Sequence, residues 1–195
     1  LLAARSGSLL NYAELSRAVG LPQTTLKRYT ALLETTFLLQ LLPAWSANLG
    51  KRLVKSPRTF LNDTGLSAYL MGIDEQRLKL DPGLFGPLLE GFVVMELRKQ
   101  STWSQTQPRL FHFRTQSGHE VDIVAEDAAG RVVGIEVKGS STVGSDDFKG
   151  LRFLRDTLGE RFRRGIILYT GRESVPFGAK LHALPINALW SWHEA

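Results

Sequence analysis

Cysteine is absent from this chain of 195 residues. That excludes a disulfide scaffold, thiolate zinc sites and thiol catalysis, and it fits a reducing compartment. No initiator Met precedes Leu1, so the sequence reads as a piece of a longer protein. No run approaches the roughly 18 apolar residues of a membrane span. The opening Leu1-Leu2-Ala3-Ala4-Arg5 is too short for a signal peptide's charged and apolar regions. No Gly-x-x-x-x-Gly-Lys-Ser/Thr loop occurs, so this piece is expected to hold no ATP site. A Gly-x-Ser-x-Gly elbow is missing as well. His112, His119, His182 and His193 are scattered, with no i, i+4 pair to bind zinc.

What is present is globular in character. Apolar residues make up 43% and charged residues 22%, enough to bury a core without help from a metal or crosslink. The net charge of +5 is unevenly placed. Residues 1–80 carry ten Lys/Arg and five Asp/Glu, a balance of +5, whereas residues 81–195 carry fourteen of each. A local cationic field favours a polyanion such as DNA. The charge step coincides with the turn signal Asp81-Pro82-Gly83, where Pro fixes φ and Gly supplies positive φ. Two domains are expected, 1–80 and 81–195.

The first part opens with helical periodicity. Leu15, Ala18 and Val19 share one face, and Gly20 stops that helix. A second helix over about 23–34 carries the apolar stripe Leu26, Tyr29, Leu32 and Leu33. Its other face offers Gln23, Thr24, Lys27, Arg28 and Thr30. A short strand over 37–43 and another over 59–61 flank the basic connection 51–58. Helix, Gly-containing turn, helix and basic-tipped hairpin follow the order of a winged helix-turn-helix. In that arrangement Thr24, Lys27 and Arg28 reach base edges and phosphates, while Lys51 and Arg52 reach neighbouring phosphates.

The second part alternates differently. A long amphipathic helix over 85–100 precedes strands at 109–114, 120–126 and 132–138. A helix over about 145–158 with the stripe Phe148, Leu151, Leu154 and Leu158 leads to strands at 165–170 and 181–185. Strand, helix, strand over 132–170 has the length of a parallel crossover. The expected fold class is α/β: a winged helix followed by a mixed sheet flanked by helices.

One constellation could carry chemistry. Period-two alternation puts Glu120, Asp122 and Val124 on one face of their strand, and Gly134, Glu136 and Lys138 on one face of the next. A hairpin through Gly130 sets Asp122 opposite Glu136 and Glu120 opposite Lys138. Like charges directly opposed repel, so such a pair implies a proton or cation between them. Mg²⁺ or Mn²⁺ would take oxygen ligands of this kind together with phosphate and water. Gly134 would leave open space beside the pair, and Glu90, in an apolar stretch of helix, would face inward to join it. Glu90, Asp122 and Glu136 would then hold the metal, with Lys138 aiding a phosphodiester-cleaving reaction. In the plainer alternative Lys138 pairs with Glu120 on a solvated face and Glu90 pairs with a residue such as Arg114.

Glu90, Glu120-Val121-Asp122 and Glu136-Val137-Lys138, on helix, strand and strand, resemble the signature of the PD-(D/E)XK nuclease superfamily. Val121-Asp122 stands where the name has Pro-Asp. A resemblance over nearly the whole chain is carried by Thr25-Leu26-Lys27-Arg28-Tyr29, by Lys55-Ser56-Pro57-Arg58 through Asn62-Asp63-Thr64-Gly65-Leu66, and by Gly86-Pro87-Leu88-Leu89-Glu90-Gly91-Phe92-Val93. These residues are similar to the C-terminal half of prokaryotic AAA-type ATP-binding proteins, the domain of unknown function 4143. The resemblance implies a winged helix and a restriction-endonuclease-like domain following an N-terminal P-loop ATPase. It implies a cytoplasmic protein with DNA as partner and no membrane, in which the ATPase domain of the same chain is a second partner. A catalytically silent regulatory or oligomerisation module of that ATPase is the competing expectation.

Overall fold

The computed structural model describes residues 1–46 and 55–191. Lys51 and Arg52, expected at a basic hairpin tip, lie outside the described residues. The chain is a mixed α/β protein with a six-stranded mixed sheet. In the first part, α1 (Tyr12–Val19) and α2 (Gln23–Thr35) are followed by β1 (Leu39–Leu42), β2 (Arg58–Leu61), α3 (Thr64–Leu70) and α4 (Glu75–Leu80). The second part comprises α5 (Phe85–Trp103), β3 (Arg109–Arg114), β4 (Glu120–Glu126), β5 (Val132–Lys138), α6 (Lys149–Leu158), β6 (Phe162–Tyr169), β7 (Val175–Pro176), β8 (Leu181–Pro185) and α7 (Ala188–Ser191).

Local chemistry sets the helix ends. The Asn11 side chain accepts the Glu14 N–H at the start of α1, and Gly20 closes that helix at φ 69°. Asp63 and Asp74 accept the Leu66 and Arg77 N–H groups at the starts of α3 and α4. These short helices lack an apolar stripe long enough to show a period, so the sequence pattern gives no sign of either. The expected stripe on α2 is incomplete: Tyr29 and Leu32 are exposed, and Thr30 is the residue buried. The Thr30 hydroxyl donates to the Leu26 carbonyl within its own helix, which removes the penalty for burying it.

The large sheet runs in the order β3-β4-β5-β6-β8-β7. β3, β4 and β5 are antiparallel neighbours, and β5, β6 and β8 are parallel. Both faces are covered. α6 lays Leu151, Leu154 and Leu158 into a core with Val121, Val124, Val132 and Phe162. α5 lays Val93, Val94 and Met95 into a second core with Ile123 and Ile135. That second core also takes Leu42 and Phe60 from β1 and β2, so it spans the turn at residue 81. The buried ring of Trp45 enters the α6-side core. Backbone bonds from His112 to Pro43 and from Trp45 to His112 tie this part of the chain to β3.

Val121 and Val124 enter one core and Ile123 the other, which breaks the strict alternation expected for β4. The cause is a bulge. Phe111 opposes Val124 and Phe113 opposes Val121, so β4 carries one residue more than β3 across that span. An extra residue inverts the pattern locally. The β4–β5 register itself is the one expected, with Ile123 opposite Ile135 and Val124 opposite Gly134.

Two glycines let α6 press onto the sheet. A Cβ on Gly134 would lie 2.7 Å from a Leu151 methyl and 3.1 Å from one of Leu154. The space beside Gly134 is therefore filled by α6 and not left open for a ligand, because the face expected to be polar and free is a buried one. On the helix side, a Cβ on Gly150 would lie 1.9 Å from the Glu120 carbonyl oxygen. Backbone cannot yield as a side chain can, so Gly150→Ala should destabilise the fold by about 1–3 kcal/mol or more in denaturant unfolding. A loss below about 0.5 kcal/mol would show that helix and strand do not approach so closely.

Candidate functional site

The residues singled out in the sequence meet around Asp122, at the point where the β4–β5 ladder gives way. The last regular pair is Ile123 with Ile135. One step beyond, Asp122 Oδ2 accepts the Val137 N–H at 3.0 Å. The side chain thus satisfies a donor of the neighbouring strand. Glu136 and Gly134, two residues apart, face α6, and Glu136 Oε1 lies 3.1 Å from where a Cβ on Gly150 would stand. Glu90 arrives from α5, whose core lies on the other side of the sheet. Asp122 neighbours both acids.

The residue that organises this group is Arg58, at the start of β2. Its Nη2 lies 2.6 Å from Glu90 Oε1, and its Nη1 lies 3.3 Å from Asp122 Oδ1. Arg58 Nε donates to the Gly7 carbonyl, and the guanidinium lies 5.7 Å from the centre of the Phe60 ring. Segment 7–10 holds β2 in place, with Gly7 and Leu10 N–H groups donating to Thr59 and Pro57 carbonyls. Despite its short contact with Arg58, buried Glu90 Oε1 has no aligned hydrogen bond. The Arg114 partnership considered for Glu90 is not formed. Arg114 lies 3.4 Å from Glu120, which leaves Lys138 to Asp147, at 3.5 Å.

Burial dominates the electrostatics. Glu136 is 8% exposed, and desolvation, then the charge of Asp122, holds its carboxyl well above the usual range. Glu90 is pushed up to about 8 by burial and by Asp122, against the opposing pull of Arg58. Burial weighs against the Arg58 cation too, but Glu90 and Asp122 outweigh it and raise its pKa overall. The group is therefore one permanent cation close to two acids, Glu90 and Glu136, that favour protonation.

Other partners already engage the carboxylates at which a divalent cation was expected. The guanidinium occupies the position between Glu90 and Asp122, and one Asp122 oxygen is committed to the Val137 N–H. Among the described residues, no group of three His, Asp or Glu is gathered so as to hold a metal. Glu90 comes from α5 and Glu136 lies beside Gly150 of α6, with Asp122 close to both. Arg58 was missed as a site residue. Its signal was available, because Arg58 stands two positions before Phe60 on a strand and so shares a face with a core aromatic.

A polar cleft of about 470 Å³ opens beside Arg58, lined by residues including Arg5, Gly7, Ser8, Asn11, Arg114 and Glu120. Its cations are mostly matched: Arg5 lies 2.6 Å from Glu14, and Arg114 pairs with Glu120. Three of the residues expected to meet DNA fall on α2. Thr24, Lys27 and Arg28 are exposed on α2, and Lys27 Nζ sits 5.7 Å from the centre of the Tyr12 ring.

The raised pKa of Glu90 links the stability of the fold to pH. Its ordinary pKa is 4.5 and its folded value is about 8. Between the two, the folded chain keeps a proton that the unfolded chain has released. The associated stability is fully present below 4.5 and is lost as pH rises through about 8. Wild type should lose up to about 1.4 kcal/mol per pH unit between about pH 6 and 8 from this group. Glu90→Gln should flatten that slope, keeping only the part due to Glu136. Equal slopes in the two proteins would mean that Glu90 is already ionised there.

Comparison with known proteins gives two mycobacterial relatives. Uncharacterized proteins of Mycobacterium tuberculosis and Mycobacterium bovis are each 34% identical over 191 residues. The match covers 97% of this chain but 41% of each relative, so the chain spans less than half the length of the curated relatives it matches. Residues 1–77 match the family described as Domain of unknown function (DUF8612). The resemblance read across nearly the whole chain is thus divided between two families. Because residues 85–189, more than half of the chain, match its profile, the chain belongs to the family described as Domain of unknown function (DUF4143).

Proposed function

We propose that this chain is a DNA-associated module of a larger P-loop ATPase, and that its nuclease-like carboxylate centre works as a structural joint, not as a cleaving site. The observation that carries this reading is Arg58, seated between Glu90 and Asp122 at 2.6 and 3.3 Å. In the superfamily that the Glu90, Asp122, Glu136 and Lys138 pattern resembles, Mg²⁺ or Mn²⁺ would be expected at such carboxylates. Here a side chain of β2 provides the cation and links β2 to α5 and β4. That is what a silent regulatory module needs.

A winged-helix reading of the first part is supported by α1 and α2 joined through Gly20 and followed by the β1–β2 pair. A nuclease-like reading of the second is supported by α5, the β3-β4-β5 meander and the parallel step to β6. DNA as partner is supported by open cations on α2. Arg5 and Arg58 are tied to carboxylates, so fewer charges are free for phosphate than the balance of +5 in residues 1–80 suggests. A second reading, metal-dependent cleavage, is favoured by Glu136 lying close to both Asp122 and Lys138.

Two measurements test the proposal. With about two to four phosphates engaged, log K for duplex DNA should fall with log salt at a slope of roughly −2 to −4. Lys27→Ala with Arg28→Ala should reduce that slope by about one to two. Binding that is absent at low salt, or indifferent to salt, would remove DNA from the proposal. Incubation of the wild-type chain with single- and double-stranded DNA and Mn²⁺ should give no cleavage. Metal-dependent cleavage that disappears in Glu136→Gln would overturn the joint and establish the second reading.

A further inference from the structure

We propose that the apolar groove between α1, α2 and α3 is the seat of an apolar segment of the polypeptide adjoining Leu1 in the larger protein. The inference rests on the reading of this chain as a module of an ATPase, and adds the surface through which the two parts are joined. The groove has a volume of about 470 Å³. Leu15, Leu26, Leu33 and Leu70 line it, together with Leu1 and Leu2. Among the described residues its lining holds no charged side chain, and the Thr30 hydroxyl within it is committed to the Leu26 carbonyl. Such a lining suits an apolar occupant. Its exposure distinguishes it from a core wall. Tyr29 belongs to the expected apolar stripe of α2 and Leu70 ends α3, yet they are 47% and 59% exposed. Val19, Leu21 and Leu38 on the same lining are exposed too. Contiguous apolar surface left open in this way marks an interaction site. The α2–β1 turn adds strain beside it. Phe37, next to Leu38, is 72% exposed and holds φ at 58°, at a helix-end position that glycine usually fills. An aromatic kept there costs backbone strain and buries little within this chain.

The occupant follows from length, position and charge. The mycobacterial relatives are matched over 41% of their length while 97% of this chain is covered, so more of each relative lies outside the match than within it. Leu1 and Leu2 line the groove, so polypeptide joined to Leu1 starts at its wall and is held there at high effective concentration. A second copy of this chain is the poorer occupant. Arg17, Lys27 and Arg28 are exposed on α1 and α2, and two grooves set face to face would bring these cations together.

Because the chain has no cysteine, an introduced thiol reports on the groove. Leu70→Cys places it in the lining, and Tyr69→Cys places it next door, at a position 81% exposed and outside the lining. Reaction with a maleimide is followed by peptide mass spectrometry in the chain of 195 residues and in the larger protein. Leu70→Cys should react at least about tenfold more slowly in the larger protein, and Tyr69→Cys at about the same rate in both. Equal rates for Leu70→Cys in the two proteins, or equal slowing of both thiols, overturn the proposal. Protection already present in the shorter chain and lost on dilution assigns the groove to a second copy and overturns it as well. Should Leu70→Cys not fold, amide hydrogen exchange of the unsubstituted proteins decides. The amides of α1 and α2 must then exchange more slowly in the larger protein, and equal exchange refutes docking. Protection reports contact whatever the covering part does. A larger protein that hydrolyses no ATP would therefore overturn the ATPase reading and leave the docking standing.

Discussion

A guanidinium buried among acids is the constraint around which this structure is organised. Arg58 is 18% exposed and Glu90 14%, so each would be destabilising alone. A buried ion pair is often no better than an apolar replacement, yet losing one partner costs about 3–5 kcal/mol because the other charge is stranded. The arrangement is thus specific before it is stabilising. It requires β2, α5 and β4 to meet in one register, since Arg58, Glu90 and Asp122 come from three separate elements. The apolar packing follows the same lines: Phe60, two residues along β2 from Arg58, shares a core with Val93 and Ile123.

The bulge in β4 makes the meeting geometrically feasible. Without the extra residue, Asp122 would lie on the same face as Val124, under α6. With it, the carboxylate reaches the β2 side through Oδ1 and the β5 backbone through Oδ2. Glu136 keeps the α6-facing orientation of Gly134. The two acids remain neighbours in register but approach from different directions, and this distinguishes the site from a simple pair of opposed carboxylates. Where β4 is irregular, the chain exchanges a ladder bond for a side-chain acceptor, and no donor is lost.

Elements with a strong period were legible in the sequence, and contacts between them were not. The strands at 109–114, 120–126 and 132–138 were read with the bounds that the structure gives, because each is a run of β-branched or aromatic residues closed by turn residues. The stripe Phe148, Leu151, Leu154 and Leu158 is buried as its spacing implied. The bulge was invisible, since one inserted residue leaves composition unchanged while inverting the faces. Reading Gly134 as open space failed for a related reason. A glycine in a strand signals either a ligand or a close neighbour, and only the tertiary structure shows Leu151 and Leu154 there. Arg58 was hidden within a basic stretch whose other charges gave it the appearance of surface.

His112 provides a second tether between the same parts, with the opposite electrostatic character. Its imidazole is buried, and Nε2 lies 2.9 Å from the Ser56 carbonyl, just before β2 begins. Burial, aided by Arg58 and Arg114 against the Ser56 hydrogen bond, pushes it down to about 4. The ring is therefore neutral in the fold and donates Nε2–H to Ser56. As pH falls from the ordinary 6.5 toward 4, the unfolded chain gains a proton that the folded one refuses, and stability is lost. Glu90 loses stability in the other direction, as pH rises toward 8. Acid lowers the stability of the fold at the one group and base at the other, and both groups lie against the short segment from Ser56 to Phe60. The fold around that segment is most stable where the imidazole is neutral and Glu90 still keeps its proton. A charge brought to this segment from outside, by phosphate or by a cation, would act on a part of the fold whose hold on the sheet depends on two protonation states.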